Sequence, residues 1–249
     1  MAAVKKKRAR KGKAKPAPKR RRRPIRWLLV RLSRLVIAVI LLAVAWVGAY
    51  RFIDPPGGIY MAAEAWRLGG IERTWRDLEE IAPAMARSAM AAEDARFCDH
   101  WGFDVEAIGA ALEANRQGRR LRGGSTISQQ VAKNVFLWHE RSWVRKGLEA
   151  GFTVLIEVLW PKARILEVYL NVAEFGDGVF GIEAAAQAAF GRPAVALNLT
   201  QASRLAAVLP NPKERSAGSP SSFVRSRGRS VAAGARTLEA QGRDACAFR

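Results

Sequence analysis

Hydrophobic and polar positions divide the chain into two regimes. Residues 35–50 (LVIAVILLAVAWVGAY) run for 16 positions without a charge, and Phe52 and Ile53 extend the run past Arg51. A helix needs about 20 apolar residues to cross a bilayer. The predicted span is therefore 27–53, with Arg31 and Arg34 near one end, snorkelling toward headgroups. A cleaved signal peptide is the alternative, but the run is long for such a segment and no A-x-A-like site precedes the next turn residues. Asp54-Pro55-Pro56-Gly57-Gly58 breaks the pattern and marks the expected domain boundary.

Beyond that break the spacing is helical nearly throughout. Pro83 suits the first turn of a helix over 83–95. Asp104 can cap a second helix, with Ile108, Ala111, Leu112 and Asn115 on one face, that stops at Gly118. A basic, glycine-rich loop, 116–124, leads to Ser125 as the expected cap of a third helix. That helix turns Ile127, Val131, Val135 and Trp138 inward, and carries Gln129 and Lys133 on another face. A longer helix over 141–160 has Leu148, Phe152, Leu155 and Leu159 as its expected buried stripe. Pro161 opens a helix reaching Asn171, and two more span 182–190 and 200–208, closed by Gly191 and Pro210. A last helix is expected over 224–240. No repeat and no strand alternation appear, so the expected class is all-α.

Charge refines this picture. The net charge is +20, yet residues 1–26 hold 14 of the 42 Lys and Arg and no acid. Setting those aside, with Arg31, Arg34 and Arg51, leaves 25 basic residues against 22 acidic ones. A nearly neutral folded part argues against nucleic acid, and a basic tail directly before an apolar run is a topology signal that keeps that end in the cytoplasm. Everything after Asp54 is then exported. The two cysteines, Cys98 and Cys246, are far apart in sequence, and no bond between them is predicted.

Three features are more polar than packing requires. Glu93-Asp94 lies at the C-terminal end of a helix, where the dipole disfavours acids. It reads either as a solvated helix end or as a functional pair. Residues 123–134 (GGSTISQQVAKN) feed a glycine turn into a helix N-terminus able to meet an anion, or form an ordinary capped helix. Arg141, Arg145 and Glu149, spaced i, i+4, i+8 with Lys146 alongside, are a salt-bridged face or part of a site. Two carboxylates and four cations on the far side of a membrane suit a glycosyl transfer in which an anionic phosphate leaves.

At these residues the chain resembles the monofunctional biosynthetic peptidoglycan glycosyltransferases, which are similar to the glycosyltransferase domain of class A penicillin-binding proteins. Five ordered blocks carry the likeness: EDARFCDHWG from Glu93, GGSTISQQVAKN from Gly123, RKGLE from Arg145, KARILEVYLN from Lys162 and RLAAVLPNP from Arg204. The resemblance implies a lysozyme-like, two-lobed helical domain over 54–215, preceded by a basic cytoplasmic tail (1–26) and one transmembrane helix (27–53). A basic tail or helix (216–249) follows. It implies lipid II and the lipid-linked glycan chain as substrates. Glu93 is then the general base, Glu149 a second catalytic carboxylate, and Lys133 and Arg141 binders of the donor pyrophosphate beside Arg145 and Lys146. Asp94, Ser125, Thr126, Gln129, Gln130 and Asn134 complete the expected substrate-binding set.

No metal-ligand spacing is visible, although Mg or Mn assistance is compatible with the chemistry, and no cofactor is expected. Neither S-x-x-K nor K-T-G occurs, so no transpeptidase is expected and cross-linking would fall to partner enzymes. Contacts with division or elongation proteins are expected by analogy alone. A lytic glycan hydrolase using the same two glutamates, and a non-enzymatic membrane protein with a basic arm, are the competing readings.

Overall fold

The computed structural model describes residues 24–117, 124–140 and 142–248. Two units are distinguished: residues up to Ala43, and a compact body from Val44 onward. The first unit is most of helix α1 (Pro24–Ala49), whose residues 26–49 form a helix long and apolar enough to cross a membrane. At 24 residues it spans about 36 Å, so Arg31 and Arg34 can lie near its end. From Arg26 to Leu42 its side chains are exposed, as a lipid-facing helix requires.

The last turn and a half of α1 is built into the compact body. Val47 is fully buried, its carbonyl accepts the Trp160 indole N–H at 2.8 Å, and Trp46 packs edge-on against Phe136 and Phe152. Past the helix end, the carbonyls of Tyr50 and Ile53 lack helical partners. Arg164 supplies them, at 3.1 and 2.9 Å.

Among the described residues, eight helices carry the rest of the core: α2 (Ile59–Leu68), α3 (Pro83–Glu93), α5 (Ile127–Phe136), α6 (Trp143–Leu159), α7 (Lys162–Val172), α8 (Ile182–Phe190), α9 (Leu199–Val208) and α10 (Ser222–Ala240), while α4 (Val105–Arg116) is more exposed. The largely helical class is as expected, and α3, α7, α8 and α9 fall within two residues of their expected limits. Helix α7 is central: Ile165, Leu166, Val168, Tyr169 and Leu170 are all fully buried, because apolar residues fill both of its faces.

The periodicity missed a small sheet. Strands β1 (Glu72–Arg73), β2 (Glu174–Gly176) and β3 (Val179–Phe180) lie in the order β1-β3-β2, with β1 parallel and β2 antiparallel to β3. Two- and three-residue strands are too short for an alternation to register.

Three expectations need correcting. The expected apolar stripe of α6 is not its buried one: Arg145, Glu149, Thr153 and Ile156 are buried, while Leu148 is 43% exposed and Phe152, Leu155 and Leu159 are half-buried. That inward face carries the Arg145–Glu149 ion pair, at 2.8 Å. Thr126, not Ser125, caps α5, because only the Thr126–Gln129 pair has the spacing for reciprocal bonds with the helix end. Cys98 and Cys246 form a disulfide, their Cα atoms brought to 5.7 Å by the return of the chain after α10.

Segment 216–249 is mostly α10, which packs against α3 and α9. Gly58, the N-cap of α2, abuts the α5 backbone, where a Cβ would meet the Asn134 carbonyl oxygen at 1.7 Å. Gly58→Ala should therefore push α2 from α5 and lower the melting temperature by several degrees, as read by thermal denaturation in detergent. Leu166→Ala should cost about 2–5 kcal/mol of unfolding free energy, as read by denaturant titration.

Candidate active site

The site is organised where α3 stops. Asp94 is the C-cap of α3, and its side chain leaves that helix to serve another one. Its Oδ2 accepts the Ile127 N–H at 3.0 Å, the first turn of α5, and its Oδ1 pairs with His100 Nε2 at 2.8 Å. A carboxylate placed unfavourably for its own helix dipole thus meets the positive end of a second helix. The side chain is 2% exposed. Thr126 adds a bond from its hydroxyl to the Gly102 carbonyl at 2.6 Å, and Gln129 closes the capping box through the Thr126 N–H at 3.0 Å. Thr126 and Gln129 are buried in this joint, while Ser125 stands exposed beside it.

The joint sets Glu93, the last residue of α3, against the face of α5 that bears Gln130, Lys133 and Asn134. Gln130 Nε2 donates to Glu93 Oε2 at 2.8 Å. Burial pushes the Glu93 carboxyl up from its ordinary range; the Gln130 bond and the charge of Arg227 act against that rise. Burial likewise depresses Lys133, which senses Glu149 and Glu93 as favourable charges and Arg145 and Lys146 as unfavourable ones. Glu149 is held by Arg145 Nη1 at 2.8 Å and by the Lys146 ammonium. Lys133, Arg145, Lys146 and both glutamates therefore belong to one electrostatic cluster. Arg141, expected among these cations, lies outside the described residues, as do residues 118–123 of the basic loop.

A cleft of about 390 Å³ opens beside Glu93, lined in part by Gln130, Lys133, Asn134, Tyr169, Asn211 and Lys213. Its far wall is a polar network. Tyr60 donates to Glu174 at 2.6 Å and stacks on His139 at 3.7 Å between ring centres. Lys213 lies 2.8 Å from Glu64 and 3.8 Å from Glu174. Burial, reinforced by Glu174, pushes the Tyr60 phenol up to about 12, while burial with Lys133 and Arg145 drives His139 down to about 4.

Sequence spacing disclosed neither this wall nor Arg227, whose guanidinium donates to the Ala92 carbonyl at 3.1 Å at the end of α3. The signal for Lys213 was its place directly after the RLAAVLPNP block. For Arg227 nothing separated it from the other arginines of a tail that reads as solvated.

Two groups of potential metal ligands come together that spacing did not predict, Asp94/His100/Asp104 and Glu64/Glu174/Asp177. In the first, Asp94 and Asp104 already accept helix-end N–H groups, while His100 Nδ1 is buried with no partner among the described residues. In the second, the Lys213 ammonium already sits among the carboxylates. Neither donor set is free for a cation in the way a built metal site requires.

A transglycosylase family model matches residues 62–236, which takes in α3, α5, α6 and Arg227 of α10. The chain belongs to this family. A protein of Jannaschia sp. (strain CCS1) named biosynthetic peptidoglycan transglycosylase is 55% identical over 221 residues, covering 89% of each chain. Proteins of the same name from Stutzerimonas stutzeri (strain A1501) and Rhodospirillum centenum are 54% and 49% identical, covering 82% of this chain and 86% and 89% of their own. The transglycosylase domain is a lysozyme-like helical domain, and this chain is a glycosyltransferase.

Two outcomes follow from the charges. Glu149→Gln would leave the buried Arg145 without its counter-charge, and denaturant unfolding should show a loss of about 3–5 kcal/mol. His139, crowded by the Lys133 and Arg145 charges, should titrate below the ordinary histidine range, as read by NMR.

Proposed function

We propose that this transglycosylase polymerises the glycan strands of peptidoglycan, transferring the lipid-linked growing chain onto the GlcNAc 4-hydroxyl of lipid II. The observation that carries the reading is one half-buried carboxyl, Glu93, held by Gln130 beside a cluster of cations. A sugar hydroxyl is a weak nucleophile near neutral pH and needs a base; burial raises Glu93 toward the range where a base is effective. Glu93 takes the hydroxyl proton as the acceptor oxygen bonds to the donor anomeric carbon. The bond from that carbon to the phosphate oxygen breaks on the opposite face, so the configuration inverts.

The leaving group is undecaprenyl pyrophosphate, an anion that needs neighbouring positive charge more than a proton. Lys133, Arg145 and Lys146 supply that charge, and Arg141 joins them in the proposal. Burial of Arg145 strengthens its effect by lowering the local dielectric. Glu149 holds the two α6 cations in place on the donor side. Asp94 keeps base and cation-bearing helix in register, with Ser125, Thr126, Gln129 and Asn134 framing the substrate path. No step is routed through a metal.

Helix α1 anchors the chain in the bacterial cytoplasmic membrane, with the basic residues 1–26 inside and the catalytic body outside. Lipid-bearing substrates and enzyme then share one surface, which raises encounter and fixes orientation. Cross-linking falls to separate transpeptidases, consistent with the lack of S-x-x-K and K-T-G motifs in this sequence.

The test is incubation of detergent-solubilised protein with labelled lipid II. Wild type should give polymer that muramidase degrades, and Glu93→Gln should lower the rate by about 10²–10⁴-fold. Release of soluble fragments from preformed glycan, with no polymer, would replace this reading by a lytic one. Because Glu93 acts unprotonated and its pKa is raised, activity should climb with pH through values above the ordinary carboxylate range. Gln130→Ala removes a bond that favours the charged form, and should move that limb to still higher pH.

A further inference from the structure

The loop that follows Glu93 is fastened from two sides. On its inner side the fasteners are core residues: Asp94 to α5, Lys162 Nζ to the His100 carbonyl at 2.8 Å and over the Phe97 ring, and Thr126 to the Gly102 carbonyl. On its outer side the fasteners come from α10 and the turn beyond it. Arg227 holds the Ala92 carbonyl, Arg243 Nη2 reaches the Ala95 carbonyl at 3.2 Å and Asp99 at 2.8 Å, and Cys246 is bonded to Cys98. Asp244, at the same turn, pairs with Arg87 of α3 at 2.6 Å.

These fasteners differ in strength. The Arg243–Asp99 pair is 36% and 42% exposed, and solvated pairs of this kind hold weakly. The covalent bond joins residues 148 apart in sequence and is the one outer link that water cannot compete for. It lies five positions after Glu93 and two before His100, in the segment whose Asp94 registers α3 on α5.

We propose that the Cys98–Cys246 disulfide, with Arg243, is a positioning device for the Glu93 base, so that the enzyme reaches full activity only when this pair is oxidised. The inference rests on the reading of Glu93 given above. Disulfides persist outside the cytoplasm and not within it. Catalytic competence is thereby tied to the compartment in which the acceptor and donor are proposed to meet. Opening the bond takes two electrons and two protons from a dithiol, which itself closes to a disulfide while Cys98 and Cys246 become thiols.

The experiment uses full-length protein in detergent, assayed on labelled lipid II as purified, after dithiol reduction and alkylation, and as the Cys98→Ser/Cys246→Ser double variant. Circular dichroism at the assay temperature verifies that each form is folded. The expected result is a kcat about tenfold or more lower in both altered forms, with KM changed by less than about threefold. Reductant should have no further effect on the double variant, and reoxidation of unalkylated protein with glutathione disulfide should restore kcat.

Full kcat in the reduced form, with only a lower melting temperature, would make the bond a stabilising staple and overturn the proposal. So would free thiols at both positions, found by mass analysis of protein purified from the periplasmic face. Should the double variant fail to fold, Arg243→Ala removes two loop contacts and leaves both cysteines. It should lower kcat by about threefold, and an unchanged kcat counts against the clamp. Amide hydrogen exchange over residues 94–104 reads the same clamp without turnover: reduction should speed it, and equal exchange in both forms sinks the idea. If the oxidised wild type makes no polymer, the function assigned to Glu93 has failed, and the exchange comparison still decides whether the clamp exists.

Discussion

The bond from Asp94 to the first turn of α5 is the joint on which the site depends. Helices α3 and α5 come from separate stretches of chain, and neither has a reason of its own to stop where the other starts. Asp94 ends one, its backbone N–H donating to the Met90 carbonyl, while its carboxylate accepts from the first turn of the other. Glu93 then has a single place to go, against Gln130, and Lys133 follows one turn later on the same face. His100 and the Thr126–Gln129 capping box surround the joint, so a buried charge is fully bonded where an unbonded one would be costly.

Charge is distributed around that joint by burial as much as by pairing. Glu149 is enclosed by two cations, whereas Glu93 meets one amide and a more distant arginine. The two carboxylates thus have different environments: one locked into ion pairs, the other pushed up by burial and held by a single amide. This asymmetry suits one to hold cations in place and the other to accept a proton. Lys133, half-buried, senses both carboxylates as favourable charges and the α6 cations as unfavourable ones.

The body around the site is fastened at its edges by arginines that reach backbone carbonyls. Arg164 closes the end of α1, Arg73 takes the Pro55 and Pro56 carbonyls, and Arg227 and Arg243 take those of Ala92 and Ala95. Carbonyls at helix ends and in turns need such donors when strands and helices cannot supply them. The arginines of the folded part thus have a structural use of their own.

The sequence by itself determined a helix long and apolar enough to cross a membrane, the helical class and the position of most helices, since each follows from local periodicity, a proline, a glycine or a cap. It also brought Glu93, Lys133 and Glu149 forward as candidates, because acids at a helix C-terminus and cations on one helical face are locally anomalous. Only the tertiary structure decided which side of α6 is inside. Local hydrophobicity points to Leu148, but the Arg145–Glu149 ion pair takes the inward side and leaves Leu148 exposed. It decided too that Asp94 bonds the first turn of α5, that Arg227 sits at the end of α3 and that Cys98 meets Cys246. Those are contacts between residues from 33 to 148 positions apart, and no short-range pattern encodes them.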